Sequence, residues 1–401
     1  MYIKKQRSMI IKPSNRIGDV KTYYFATKLA EVAEMNASGE EVINLGIGSP
    51  DLAPPKEVLD ILKQAVDQEG AHRYQSYRGL PILREGFAHH YRAMLDVTVD
   101  PSTEILPLIG SKEGIMHISM AFLNPGDEVL VPNPGYPSYR ATAELAGATT
   151  IFYDLRAEQN WLPDMSQLRS LNTSKIKIMW LNYPHMPTGA KGNRTMYKEL
   201  VAWARQESIL LCHDNPYNFI LNDEPMSMLS IAEAKDCVLE LCSLSKCYNM
   251  AGWRVGAVLG GEEYINTILR YKSNMDSGMF RPVQEAAARA LHMDRDWHDK
   301  MNEVYRARRE EAYKLFDLLQ CDYDTSAGGL FVWARVPRYI ADVKDYINDI
   351  LRDARVFITP GSIFGSNGEG YVRIALCSSI DDMKKARKRI ESRFVNSIAT
   401  A

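Results

Sequence analysis

The 401-residue chain carries no excess of charge of either sign: fifty acidic residues against forty-eight basic ones leave a net charge of -2. That balance provides no global field for nucleic acid or an anionic bilayer, so any anion has to be gripped locally. Cysteine is scarce. The six present (Cys212, Cys237, Cys242, Cys247, Cys321 and Cys377) show no C-x-x-C spacing, which argues against a disulfide framework or a zinc site and fits reduced, cytosolic usage. Long apolar runs are missing too, and none approaches a transmembrane length. After Lys4, Lys5 and Arg7 only Met9, Ile10 and Ile11 precede Lys12, too few for the apolar region of a signal peptide. Repeats and low-complexity linkers are lacking. A cytoplasmic protein that binds neither membrane nor nucleic acid is expected. What is present, 46% hydrophobic and 24% charged residues, is the usage of a soluble globular protein, and the length predicts two or three domains.

From about residue 100 to 260, short β-branched runs alternate with segments of helical period. Strands are predicted at Ile105 to Ile109, Glu128 to Val131, Thr149 to Tyr153, Ile176 to Leu181, Ile209 to His213, Val238 to Leu241 and Val255 to Leu259. Helices are predicted between them at Gly114 to Leu123, Tyr139 to Ala146 and Thr195 to Glu207. This is the βαβ alternation of a mostly parallel sheet covered on both faces. After Pro282 a long helical stretch follows, with Trp297, Met301, Val304, Leu315 and Leu319 at helical spacing and Arg306, Arg308, Arg309 and Glu310 read as a solvated face; Lys384 to Arg393 reads the same way. Runs at Leu330 to Val336 and Tyr371 to Leu376, with the closing helix, predict a smaller α+β domain that the first fifty or so residues join.

In open α/β sheets ligands collect at the carboxyl ends of strands. After Ile109 comes Gly110-Ser111-Lys112-Glu113-Gly114, a glycine turn opening a helix whose first amides favour a phosphate. After His213 comes Asp214-Asn215-Pro216-Tyr217. After Leu241 comes Ser243-Leu244-Ser245-Lys246, and eight residues past the lysine stands Arg254. A lysine at the end of a buried strand is unusual, and desolvation together with neighbouring cations turns its amine into a nucleophile toward an aldehyde. An amine, a carboxylate, a phenol, hydroxyls, an arginine and a helix amino terminus are what pyridoxal phosphate needs for its aldehyde, ring nitrogen and phosphate. Singly, a turn or a core tyrosine accounts for each motif; their order and separation carry the reading.

With these motifs the sequence resembles the fold-type I pyridoxal-phosphate enzymes, and among them the class I/II aminotransferases. The resemblance runs from Asn44-Leu45-Gly46-Ile47-Gly48-Ser49-Pro50-Asp51 to Gly370-Tyr371-Val372-Arg373, and its most specific part is SLSKCYNMAGWRVG, from Ser243 to Gly256. It implies a large cofactor-binding α/β domain over 51–284 with a seven-stranded, mostly parallel sheet, and a small α+β domain made of 1–50 and 285–401. It implies that Lys246 carries the cofactor as a Schiff base and moves the substrate proton, and that Ser243, Arg254, Ser111 and Lys112 hold the phosphate. Asp214 would pair with the ring nitrogen, Tyr217 would donate to the 3′ oxygen and Tyr136 would stack on the ring. Arg373 would take the substrate α-carboxylate through its planar fork, with Gly48 giving the backbone room beside it. Tyr74 resembles a tyrosine that reaches the neighbouring subunit's phosphate, which implies a homodimer with a shared site. Arg270 lies near, though out of register with, a position from which some relatives read substrate across that interface.

One departure stands out. Where the family commonly has Asn-Pro-Thr-Gly, this chain has Met186-Pro187-Thr188-Gly189, and a thioether cannot donate to the 3′ oxygen. The pH midpoint of the bound cofactor's absorbance is expected to rise unless Asn182 or His185 swings in. The other histidines read as structural: His89, His90 and His117 lie in helical segments without a partner at metal spacing, His213 buttresses Asp214, and no metal is expected.

The expected activity is ping-pong transfer of an amino group from an L-amino acid to a 2-oxo acid, with 2-oxoglutarate as acceptor. A β-lyase acting on cysteine conjugates is the rival enzyme, since the same carbanion can expel a leaving group. A regulator built on an idle aminotransferase-like domain is the rival from another class; about forty residues precede Asn44, without a helix-turn-helix pattern or basic excess, which weighs against it. SNMDSGMF, from Ser273 to Phe280, looks like the branch holding diaminopimelate, alanine and aromatic aminotransferases.

Overall fold

The computed structural model describes residues 10–18 and 24–395; Lys4, Lys5, Arg7 and Met9 of the amino-terminal reading lie outside them. In chain order the strands are β1 (Ile43–Asn44), β2 (Ile105–Leu108), β3 (Glu128–Asn133), β4 (Thr149–Asp154), β5 (Ile176–Leu181), β6 (Leu210–Asp214), β7 (Val238–Ser243), β8 (Gly256–Gly260), β9 (Asp322–Tyr323), β10 (Phe331–Arg335), β11 (Val356–Phe357), β12 (Thr359–Pro360) and β13 (Tyr371–Ala375). The seven runs expected between residues 100 and 260 form one sheet in the order β2-β8-β7-β6-β5-β3-β4. It is parallel except for β8, which runs antiparallel to both its neighbours.

Side-chain alternation explains why helices cover both faces. Leu106, Leu108, Val129, Val131, Ile178, Trp180, Cys212, Leu239 and Leu241 pack on one face with Ile115 and Ile118 of the helix Ser111–Phe122 and Ile265 and Ile268 of the helix Glu262–Lys272. Their strand neighbours Ile105, Leu130, Met179, Leu181, Leu211 and Val238 face the other way, toward Leu83 and Phe87 of the helix Pro81–Leu95 and Leu200 and Val201 of the helix Arg194–Glu207. Two apolar faces on the inner strands leave them no solvent-facing side, so those runs read as continuously hydrophobic, while the edge strand β4 keeps Thr149 and Phe152 exposed.

The later part of the chain builds an antiparallel sheet in the order β12-β13-β10-β9, and β1 pairs in parallel with β11. Residues near the start of the chain are thereby fixed beside residues more than three hundred positions later.

Two readings change. The stretch after Pro282 is two helices, Arg281–Ala290 and Arg295–Leu318, not one. On the second, Arg306 and Glu310 are exposed as expected, but Arg308 is buried. Its guanidinium pairs through both terminal nitrogens with Asp51, at 2.6 and 2.8 Å, and donates to the Leu376 carbonyl at 3.0 Å. The partner comes from a segment remote in sequence, so charge spacing along the helix did not betray it.

Candidate active site

Because β8 is antiparallel, its entry lies at the same sheet edge as the exits of β2 and β7: Gly256 is level with both Leu108 and Ser243. This brings Arg254, which precedes β8, to the turn Gly110-Ser111 and to Lys246. A cavity of about 340 Å³ opens there. Ser111, Lys112, Tyr136, Asp214, Tyr217, Ser243, Lys246, Arg254, Gly48 and Arg373 all line it, although they span more than three hundred positions of sequence.

The polar wall is built from strand ends. Gly110 adopts φ +85, and a Cβ there would run into the Arg254 guanidinium; glycine is what lets the two approach. Arg254 Nη1 donates to the Ala251 carbonyl at 2.8 Å and lies 3.4 Å from Ser245 Oγ. Lys246 Nζ donates to the Gly48 carbonyl at 2.5 Å. Burial is the first cause lowering the lysine's pKa from its ordinary value, with the charges of Arg254 and Arg373 adding to it, so the amine is moved toward its nucleophilic form.

Asp214, at the end of β6, is buried, and burial raises its pKa to about 6 against the opposing hydrogen bond from Tyr139. Tyr139 donates to Asp214 Oδ2 at 2.9 Å and stacks on Trp180 with ring centroids 5.0 Å apart. Asp214 Oδ1 is also buried and has no hydrogen-bond partner among the described residues. A buried carboxylate oxygen left without a donor is costly. A protonated ring nitrogen supplies the missing donor, so the residues present fit pyridoxal phosphate.

The remaining wall is apolar. Arg373 donates to the Gly46 carbonyl at 2.8 Å and its guanidinium lies 4.0 Å from the Phe331 ring centroid, 4.6 Å from that of Phe364 and 5.4 Å from that of Phe25. Its Nη1 also lies 3.2 Å from Met186 Sδ. A Cβ on Gly48 would strike the Phe331 ring, so this glycine also makes room for an aromatic.

Several expectations fall elsewhere. Tyr74 is 90% exposed and lies outside the cavity wall of its own chain, and Arg270 is exposed on its helix. His213 makes no hydrogen bond to Asp214: alternation along β6 turns its ring away, where Nδ1 meets Glu240 Oε2 at 2.9 Å, and its support is confined to opposing the rise of the Asp214 pKa. Of the two residues expected to compensate for Met186, Asn182 lines the cavity, donates to the Asp214 carbonyl and accepts from Met186 N, while His185 pairs through Nδ1 with Thr188 at 2.8 Å. His117 does have neighbours at ligand spacing, Glu113 four residues before it and Asp276, with ligand atoms within 4.8 Å of one another; Lys272 already pairs with Asp276 at 2.8 Å. The reading missed Tyr139, Phe25, Leu29, Phe331 and Phe364. Tyr139, three residues after Tyr136 at a helix start, had a spacing signal; the phenylalanines had none.

A strand-end lysine, a buried carboxylate in the wall of the same cavity and a glycine turn opening a helix beside an arginine, on this sheet topology, define a pyridoxal-phosphate enzyme of fold type I. The family model of the aminotransferases of class I and II matches residues 40–390, and the chain belongs to that family. It is 39% identical over 377 residues to an LL-diaminopimelate aminotransferase of Dehalococcoides mccartyi, covering 94% of this chain and 97% of that one. It is 37% identical to an enzyme of the same description from Aquifex aeolicus, covering 94% and 98%. Among solved structures, substrate-bound BacF from Bacillus subtilis superposes with a TM-score of 0.90 at 34% identity, covering 96% and 98% of the two chains. The protein is a pyridoxal-phosphate-dependent transaminase acting on an amino acid and a 2-oxo acid; elimination as its main reaction is not favoured. Among the described residues no helix is long and apolar enough to cross a membrane.

Proposed function

We propose that Lys246 is the amine that holds the cofactor and then carries the proton taken from the substrate Cα, that Asp214 holds the ring nitrogen and Tyr217 the 3′ oxygen, and that Tyr136 covers the ring. Ser111, Lys112, Ser243 and Arg254 take the phosphate. Arg373 and the backbone at Gly48 take the α-carboxylate. Bound there, pyridoxal phosphate supplies an aldehyde for the amino group and a ring that accepts the electron pair left at Cα. The observation that carries this reading is the buried, partnerless Asp214 Oδ1 in the wall that also holds Lys246. Arg373 fixes the substrate by two parallel hydrogen bonds, which sets the Cα–H toward Lys246 Nζ and turns a collision into a positioned proton transfer. The Phe25, Phe331 and Phe364 rings keep water from the carboxylate and strengthen that pairing.

The domain division, 51–284 against 1–50 with 285–401, belongs to this proposal, as does a cytoplasmic location. So does a homodimer. Tyr74, Tyr77, Met275 and Phe280 are large exposed apolar residues on adjoining loops, tied together by Lys272 donating to the Tyr77 carbonyl and by stacking of His72 on Phe280. A second copy seated there would bring its Tyr74 to the phosphate end. Sedimentation would give two chains, and Tyr74→Phe would weaken cofactor affinity without changing the mass.

The test of the reaction is the absorbance of the holoenzyme under a panel of single donors: alanine, leucine, phenylalanine, glutamate, lysine and LL-diaminopimelate, the last taken from the relatives' names. Conversion of the cofactor band by a donor and its restoration by 2-oxoglutarate is the expected result. Ammonia and pyruvate released together from a cysteine S-conjugate, added to the panel without acceptor, would overturn it in favour of a lyase.

A further inference from the structure

We propose that Asn133 is a positioning residue that joins the segment carrying Tyr136 to the segment carrying Phe364, so that the cover of the cofactor ring and the wall beside the carboxylate anchor are placed as one unit; this deepens the transaminase reading and rests on it. Asn133 ends β3 and is buried, and Tyr136 follows three residues later. Phe364, whose ring centroid lies 4.6 Å from the Arg373 guanidinium, stands far later in the chain, between β12 and β13. Gly135 N donates to the Phe364 carbonyl at 2.8 Å. The residue before Tyr136 and the residue packed on Arg373 are therefore joined through their backbones.

The side chain of Asn133 makes that joint specific. Its Nδ2 donates to Ser366 Oγ at 2.9 Å and to Asp154 Oδ1 at 3.0 Å, while its Oδ1 accepts from Asn367 N at 3.1 Å. A backbone N–H only donates and a carboxylate only accepts, so these partners need an amide in one orientation, and neither aspartate nor leucine replaces it. Asp154 is the register partner of Asn133 at the end of β4, which ties the joint to the sheet. Asn367 completes it, its Nδ2 donating to the Asn133 and Leu155 carbonyls at 3.3 Å each. Gly365 has φ +136, and a Cβ there would strike Asn133 Oδ1, so glycine is what lets the two segments approach. Buried polar groups that lose their partners are costly, which holds the segments in this one register. Phe364 also packs on Trp333, with centroids 6.1 Å apart, a contact that supports the ring without relating it to Tyr136. Asn133, Ser366 and Asn367 lie outside the described cavity wall, which Tyr136 and Phe364 both line, so their influence on the site passes through those two rings.

Two variants of the holoenzyme test this. Asn133→Asp keeps the shape but sets a second carboxylate against Asp154, and Asn367→Ala removes the far side of the joint without touching the described wall. Hydrogen exchange over residues 361–368 is expected to be at least about tenfold faster in both. The circular dichroism of the bound cofactor's band, which reports the ring's surroundings, is expected to change by at least about a quarter in both. With the donor that reacts fastest in the panel above, KM is expected to rise about tenfold and kcat to fall only about threefold, since seating of the carboxylate is loosened more than the proton transfer. A purely structural role would lower stability and leave the cofactor band and the KM-to-kcat split as they are; that outcome, or unchanged exchange, would overturn the proposal. Should Asn133→Asp not fold, the same three readings on Asn367→Ala decide. If exchange and the cofactor band both change while the unaltered protein turns over no donor, the transaminase reading fails and the joint stands.

Discussion

The cavity has two halves made in different ways. The cofactor half is polar, and its Ser111, Asp214, Ser243, Lys246 and Arg254 stand within a few residues of a strand end in one sheet. The substrate half is mostly apolar, and its Phe25, Ile47, Met186, Phe331, Phe364 and Arg373 come from both ends of the chain and a central loop. Chemistry fixed by the cofactor can be written locally, because a sheet delivers every strand end to one edge. Selection of a substrate is a matter of shape and of what the wall lacks, which many separate segments have to build together.

The largest expected effect falls in the polar half. Lys246→Ala should lower kcat by at least about 10³, since it removes both nucleophile and proton carrier. Rapid-mixing kinetics would check this, and a tenfold loss or less would mean that another group moves the proton.

Next is the clamp that holds the apolar half in place. Arg308 joins Asp51, just after the Gly48 segment, to the Leu376 carbonyl, just after Arg373. Arg308→Ala leaves a carboxylate without its partner, and Asp51 is a third exposed, so about 3 kcal/mol of stability should be lost. Denaturant unfolding measures it; a loss below about 1 kcal/mol would show that the halves hold together without the clamp.

Asp214 offers a signed test in the apoprotein. Its folded-state pKa of about 6 lies above the ordinary 3.8, so folding binds the proton more tightly than the unfolded chain does. Stability from this group is complete below pH 3.8 and is lost as the pH rises through about 6. Asp214→Asn should therefore stabilise the apoprotein by about 2 kcal/mol at pH 8, with the gain fading in more acid solution. A gain independent of pH would show that the carboxylate is not the source.

The smallest effect lies on the boundary between the halves. In the proposed arrangement Met186→Asn would place a donor toward the cofactor's 3′ oxygen and should lower the pH midpoint of the bound cofactor's absorbance by about one unit. No shift would mean that Tyr217 alone sets it.

The sheet was legible from the alternating β-branched runs because both faces of its inner strands are buried, and the strand-end motifs were legible because their spacing is a property of a single turn. Tyr139 escaped although it stands three residues after Tyr136, since only the fold shows that its hydroxyl meets Asp214 Oδ2. Arg308 read as a surface charge because its partner lies 257 positions away, and His213 read as a support for Asp214 although neighbours on a strand face opposite ways.

By itself the sequence determined the α/β architecture and the cofactor, and pointed to the residues proposed to hold it, because hydrophobic period and strand-end chemistry are local properties of the chain. Only the tertiary structure decided what surrounds Arg373, which oxygen of Asp214 lacks a partner among the described residues, and which groups hold Asn182 and His185 beside Met186. These depend on groups brought together from distant segments by packing, and that proximity is a property of the folded chain alone.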